Sequence, residues 1–588
     1  MAQATSLRVE AARGDRPLDL LIERATLVNV FTREVYPADI GIAGGYIVHV
    51  GAPTWQGPEP LARLQAHGKF ALPGFIDTHV HIESSMMSPA EFAAAVLPHG
   101  TTTVVIDPHE VANVAGLRGV RYMLRATADL PLRVALQVPS CVPAVPALET
   151  AGAEFGPQEI AEMLSWERVI GLAEVMDYVG VIGQGERMRH ILDAALERGV
   201  VISGHCPGLS GRELAAYIVG GPDSDHEGLG YEELLGKLRL GMAVEARVSS
   251  FSESITMLGA IVRQLGFAPP NMVMCTDDIF PPDLARCGHM DHVVRRAIAA
   301  GFPPVDAVRT ATLHGAQRHR LYDRGALAPG KLADILLVSD LSNPRADEVL
   351  VGGQLVARAG RMVVPLPQAT DNLERENTVR LPRPPAAADL ALRARPGRQR
   401  ERVRVLSLVP GQPRGLETIE LPVRDGVLDT SATPDVCLIA ILERHGRTGG
   451  SSLALVKGTG LQRGAVASTV AHDSHNLLIL GHTPGDMALA AAQIASWGGG
   501  LCCVEGGRVL AGVPLPIAGL MSPRPLHEIA PLVDALSQAL QGLGMPGPNP
   551  LGTIFGLALP VIPRYGVTDR GLVDTATQAF IPLWADEE

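Results

Sequence analysis

The sequence predicts an α/β protein of several domains: a (β/α)8 TIM-like barrel, a discontinuous small β-sandwich domain and an additional C-terminal α/β domain. Three observations carry that expectation. The chain has 588 residues, more than one ordinary domain takes. Between residues 73 and 325, short apolar runs alternate with helical stretches at intervals of about 25–40 residues, the pattern of βα units around a parallel sheet. Strand-like segments flank that region on both sides, and further strands and helices follow a break rich in Pro, Arg and Ala.

In chain order, DLLIERATLVNVFTREVYPADIGIAGGYIVHVG (19–51) alternates apolar and polar residues, and Gly44–Gly45 reads as a hairpin turn. The runs FIDTHVHI, TTTVVID, LRVALQV, VIGLAEV, VVISGH and MVMCTD read as strands, with helices such as PAEFAAAVLPHG and RMRHILDAALERG between them. Enough units fit for eight strands. β-like sequence returns in ALAPGKLADILLVSD and EVLVGGQLVARAGRMVV, which can rejoin the N-terminal sheet. In the last part, ERVRVLSLV and LALVKG read as strands, MALAAAQIASWGGG and LHEIAPLVDALSQALQGLG as helices. The expected layout is 1–72 plus 326–365 as the small β domain, 73–325 as a metal-binding barrel, 366–400 as a linker and 401–588 as the C-terminal domain.

Composition narrows the function. A net charge of −12 opposes nucleic-acid binding, which needs a clustered basic surface. Seven cysteines without a CxxC pair read as reduced thiols of a cytoplasmic protein. The start, MAQATSLRVEAARGDRP, has charges and no apolar core, so no secretory signal is expected. The most apolar long stretch, 487–504, is broken by Gln493 and Gly498–Gly500, and no membrane span is expected.

The sharpest motif is His79-Val80-His81, which ends the first barrel strand. Residues two apart on a strand share a face, so both imidazoles can meet one ion. Active sites of such barrels lie where the strands end. Glu174 ends VIGLAEV, His205 ends VVISGH, His226 lies in DSDHEG and Asp277 ends MVMCTD. Each alone has a bland reading: a solvated acid, a packed histidine, or for Asp277 a helix cap. Together they look like the ligand set of two divalent ions.

The run LPGFIDTHVHIESSM resembles the first-strand signature of amidohydrolases, and its ESSM that of the adenine deaminase family. The resemblance continues through TTTVVIDPHEVANV, PSCVPA, GHCPGLSGREL, SDHEG, KLRLGM, CTDD, GALAPGKLADILLV, VAHDSHN and LPLPIAGLMS, nearly the whole chain. It implies a binuclear centre, with manganese expected first, iron next and zinc third. His79 and His81 would hold the more buried ion, Glu174 would bridge, His205 and His226 would bind the second ion, and Asp277 would touch the activated water. Many relatives bridge with a carbamylated lysine from the fourth strand. The lysines here are Lys69, Lys237, Lys331 and Lys457, none near that strand, which leaves Glu174 as the bridge. The implied reaction is attack of an activated water at C6 of adenine, giving hypoxanthine and ammonia, with Asp277 relaying the proton. The partner would be a small purine base, and a homo-oligomer, a dimer, is expected.

Glu83 is expected to protonate a ring nitrogen or orient substrate, with a solvated loop acid as the equal alternative. Asp107, His109 and Glu110 are expected beside the ligands or against substrate, not on the ions. Asp278 would bond the ring or cap a turn. Two departures from the family pattern bear on substrate choice. Arg247-Val248-Ser249-Ser250 stands where the family carries Arg-Glu-Gly-Ser, and Ile279-Phe280 replaces a basic residue and a histidine. A modified adenine or a cyclic amide is therefore the alternative substrate, and a catalytically silent purine-binding relative the alternative class. His472-Asp473-Ser474-His475-Asn476 reads as a structural loop or one covering the barrel mouth, because adjacent residues do not make a triad. Gly325–Lys331 mimics a phosphate loop, but Leu332 stands where Ser or Thr would bind magnesium.

Overall fold

The computed structural model describes residues 2–53, 55–367, 371–561 and 564–586. Five parallel strands (Phe75–Val80, Thr101–Ile106, Arg133–Val138, Val169–Val175 and Val201–Gly204) pair in sequence order. Three more (Ser224–Asp225, Ala243–Arg247 and Met272–Cys275) make a second parallel arc. The arcs meet at both edges. The Asp223 amide donates to the Ile202 carbonyl at 3.0 Å, and a parallel bridge joins Val80 to Asp277. The expected barrel is thus observed as a curled parallel sheet.

Its strands are buried along almost their whole length, as sheet strands covered by helices must be. Helix Glu186–Glu197 buries Met188, Ile191, Leu192 and Ala195, the spacing of a single face.

At the N-terminus, strands Glu34–Ala43 and Tyr46–Gly51 form the expected hairpin, with Gly44 and Gly45 at φ 58° and 78°. Both lie in the left-handed region that a tight hairpin turn requires. Strand Ile335–Val338 returns antiparallel to Phe70–Pro73, the segment that leads into Phe75–Val80. Hydrogen bonding runs through one nine-stranded sheet. The reason is that Phe70–Pro73 pairs with Leu20–Asn29 on one side and Ile335–Val338 on the other. A helix over Ala2–Arg13 precedes this sheet, unanticipated because Ala11 is its one buried apolar residue among those whose side chains are described. Gly325–Lys331 is the turn into Ile335–Val338, with the Gly330 amide bonded to the Ile47 carbonyl at 2.8 Å.

The C-terminal part holds a second nine-stranded sheet. Its strand Leu477–Gly481 shows how it is layered. Leu477 and Ile479 pack with Met487, Ala490 and Ile494 of helix Pro484–Trp497. Leu478 and Leu480 belong to the core that contains Ile529, Val533 and Leu536 of helix Leu526–Gly542. That second core is continuous with the core of the curled sheet. Among the described residues, no helix is long and apolar enough to cross a membrane.

Candidate metal centre

Six side chains converge where the parallel strands end. His79 lies in Phe75–Val80 and His81 just past it; Glu174 lies in Val169–Val175. His205 follows Val201–Gly204, His226 follows Ser224–Asp225, and Asp277 stands two residues beyond Met272–Cys275. All six are buried.

Glu174 is the hub. Its Oε1 lies 3.4 Å from His81 Nε2 and 3.7 Å from His79 Nε2. Its Oε2 lies 2.7 Å from His205 Nδ1 and 3.3 Å from His226 Nε2. Asp277 Oδ1 joins the first group, 3.2 Å from His81 Nε2 and 3.6 Å from His79 Nε2. One carboxylate therefore faces two imidazole pairs, one with each oxygen.

The tautomers suit ligation. His81 Nδ1 is 2.9 Å from the Asp107 carbonyl oxygen, which can only accept, so Nδ1 carries the proton and Nε2 presents its lone pair. His79 Nε2 is buried without a hydrogen-bond partner, an arrangement that costs free energy unless something unseen satisfies it.

The electrostatics also call for positive charge. Burial lowers the pKa of His81, His205 and His226, but Glu174 and neighbouring carboxylates outweigh it and raise all three, His226 to about 10. Burial likewise raises Glu174, yet His205, His226 and His81 hold it well below the carboxylate range. The same contest at Asp277 is won by Arg247, His79 and His81. Divalent cations would supply that charge and compete with protons for the imidazoles.

Asp277 is held by backbone as well. Its φ of 60° is left-handed, a region that Asp tolerates better than most residues. Its amide donates to the His79 carbonyl at 2.9 Å, and its carbonyl accepts from the His81 amide at 3.2 Å. Arg247 Nη1 donates to Asp277 Oδ2 at 2.6 Å and also grips Glu227, whose Oε2 takes Nη2 at 3.1 Å.

His109 and Asp107 come closer to the centre than their sequence positions suggest. His109 Nδ1 lies 3.7 Å from Glu174 Oε1 and 3.4 Å from Asp107 Oδ2, and the donor atoms of His81, Asp107, His109 and Glu174 form one cluster. Glu83 is buried, accepts from the Val111 amide at 3.2 Å and does not line the cavity. Burial and the charge of Glu110 push its pKa up to about 8. The Ser84 hydroxyl sits between Glu110 and Asp278. Burial and the Asp277 charge push Asp278 up to about 6.

Above these residues lies a cavity of about 520 Å³. Its floor is His81, Glu174, His205, His226 and Asp277, and Arg247, Phe251 and Asp278 form part of its wall. Among the described residues no lysine lines it; Lys237 is engaged by Asp225 at 2.9 Å. Val248, Ser249, Ile279 and Phe280, where the chain departs from the family pattern, line a neighbouring cavity and not this one. Val248, Ile279 and Phe280 are buried, and Phe280 packs edge-on against Phe251 and Phe555, with centroids 5.1 and 5.5 Å apart. Sequence reasoning did not single out Glu227, although it adjoins His226 in DSDHEG, nor Phe251, which carries no local signal. The expectation that 472–476 covers the mouth fits the placement of His472 and Asp473 in the cavity wall.

Residues 70–356 match the Amidohydrolase family and residues 414–579 the Adenine deaminase C-terminal domain. The first match makes the chain an amidohydrolase by class. Over the full length, it is 41% identical to the adenine deaminase of Moorella thermoacetica, with 99% of this chain and 98% of that protein covered. It is 42% identical to the adenine deaminase of Nitratidesulfovibrio vulgaris, with 97% of each covered. The chain belongs to the adenine deaminase family. Among solved structures, N-acetyl-D-glucosamine-6-phosphate deacetylase from Mycobacterium smegmatis aligns with a TM-score of 0.45 and 20% identity, over 57% of this chain and 99% of that one.

Proposed function

We propose that the protein hydrolyses adenine to hypoxanthine and ammonia at a centre holding two divalent cations, manganese first and iron next. One observation carries the reading: each oxygen of Glu174 faces its own pair of imidazoles. The family relationship supports adenine as substrate, and the unsatisfied buried His79 Nε2 supports an ion at this place. His79, His81, Asp277 and Glu174 would hold one cation; His205, His226 and Glu174 the other. When bound, such a pair supplies Lewis acidity and brings the pKa of a shared water near neutrality.

The chain's own residues do the rest. Asp277, kept ionised and aimed by Arg247, accepts a proton from the attacking water at Oδ1 and returns it to the leaving amino group. Oxygen is gained at C6 as nitrogen leaves, so water and adenine balance hypoxanthine and ammonia. Asp278, in the cavity wall with a pKa raised to about 6 by burial and the Asp277 charge, would exchange a proton with a ring nitrogen. Glu83, pushed up to about 8 by burial and the charge of Glu110, keeps a further proton nearby. The cavity of about 520 Å³ has room for a purine and its water.

We read the curled sheet as an eight-stranded barrel and divide the chain at the boundaries expected from the sequence. The pairing of Ile335–Val338 with Phe70–Pro73 supports a discontinuous N-terminal domain. Seven unpaired cysteines, six of them buried, support a reducing cytoplasm.

The test is ammonia release from adenine by metal-stripped protein reloaded with manganese, with Glu174→Ala as control. Turnover in the reloaded protein and its loss in the variant are expected. Full turnover in Glu174→Ala would refute the bridge, and no ammonia from the reloaded wild type would refute the substrate.

A further inference from the structure

The motif His472–Asn476 lies in the C-terminal part, about 200 residues beyond Asp277 in the chain, yet the fold seats it against the centre. The loop is fixed at each residue. The His472 amide donates to the Phe555 carbonyl at 3.0 Å, and the His475 amide to the Ala471 carbonyl at 2.8 Å. His445 Nε2 donates to the Ser474 carbonyl at 2.8 Å, and Asn476 Nδ2 reaches the Thr150 carbonyl at 2.8 Å. The buried Arg444 guanidinium grips the His475 carbonyl and donates to Ala518 at 3.0 Å. From this frame Asp473 Oδ1 lies 3.4 Å from His109 Nε2.

Such anchoring leaves one side chain of the loop with nothing to support. His472 lines the cavity, with Nδ1 3.5 Å from Asp473 Oδ1. Its ring stands edge-on to Phe251, centroids 6.3 Å apart, and tilted to Phe555 at 6.5 Å. Phe251 also lines the cavity and is 39% exposed. A nitrogen of His472 comes within ligand distance of His109 and Glu110. An imidazole beside a partly exposed phenyl ring suits a planar, heteroatom-bearing ring: one group offers stacking, the other a hydrogen bond in the ring plane.

We propose that His472 is a substrate-contacting residue, supplied by the C-terminal part, that binds the purine ring beside the metal centre with Phe251 as the stacking face. The proposal rests on adenine as the substrate. It gives the C-terminal part a direct role in recognition: the rigid loop presents His472 with little ordering left to do on binding.

The experiment is steady-state kinetics on adenine and metal analysis for manganese-loaded wild type, His472→Phe and His472→Gln. Phe keeps a ring against Phe251 and Phe555 but has no nitrogen, whereas Gln keeps a hydrogen-bonding group without the ring. KM for adenine is expected to rise at least about tenfold in His472→Phe. It should rise less in His472→Gln, with kcat within a few-fold and metal content unchanged in both. Unchanged KM in both variants would overturn the proposal. So would a parallel loss of metal in both, which would make His472 a ligand through His109 and Glu110 instead. If wild type itself releases no ammonia from adenine, the substrate reading fails rather than this one, and wild-type binding of a purine panel, compared with His472→Phe, still decides whether His472 touches the ring.

Discussion

At the scale of single residues, the centre is a contest between burial and charge, and its outcome is testable. Asp277 keeps its charge because Arg247 and two imidazoles outweigh desolvation. Asp277→Asn keeps the size and the left-handed backbone but removes the proton acceptor. The expected result is a fall in kcat of about 100- to 10,000-fold with a lower melting temperature, since buried Arg247 loses one of its charge partners, measured by ammonia release and thermal scanning. Glu149 shows the opposite outcome. Burial and the charges of Asp473 and Asp569 push it from its ordinary 4.5 to about 8. The folded chain then keeps a proton that the unfolded chain gives up, so stability drains away as pH climbs from 4.5 to 8 and levels off above. Glu149→Gln cannot lose that proton. Its melting temperature relative to wild type should rise across that window, and a flat difference would contradict the assignment. Five of the six were legible because each sits at the end of an apolar run, and His226 because of its SDHEG motif. The nearness of His109 to Glu174 was not, because IDPHE gives no sign of which way a loop imidazole turns.

At the scale of elements, strand Phe75–Val80 sets the geometry, since it carries His79, leads directly into His81, and these two are pinned to Asp277 by two backbone bonds. Its entry is tight. A Cβ on Gly74 would stand 2.0 Å from Thr102 Oγ1 and 2.8 Å from Thr102 Cβ, so the first two strands would have to separate. Gly74→Ala is expected to cost about 1–3 kcal/mol, seen as a lower melting temperature together with reduced manganese content. Normal metal content would show that the strand's position does not set the site. The strands themselves were legible from their apolar runs, and the six read in advance lie within a residue or two of the observed bounds. Helix Ala2–Arg13 was not, for its described side chains form no apolar stripe from which to read it.

At the scale of the molecule, the C-terminal part is docked and not tethered. One apolar core runs from Phe75 and Val104 of the curled sheet to Leu478 and Ile529. Backbone hydrogen bonds cross the boundary, the Ser88 amide reaching the Ser522 carbonyl and the Ser522 amide the Met86 carbonyl, each at 2.9 Å. The resemblance of VAHDSHN and LPLPIAGLMS to family motifs marked these segments, but spacing along the chain says nothing of docking between parts hundreds of residues apart. The account as a whole turns on Glu174 standing between two cations. The most direct measurement is an anomalous-scattering map from crystals of the manganese-loaded protein. Two peaks are predicted, one beside each carboxylate oxygen of Glu174, within bonding distance of His79 and His81 on one side and His205 and His226 on the other. A single peak away from Glu174, or none among these four imidazoles, would contradict it.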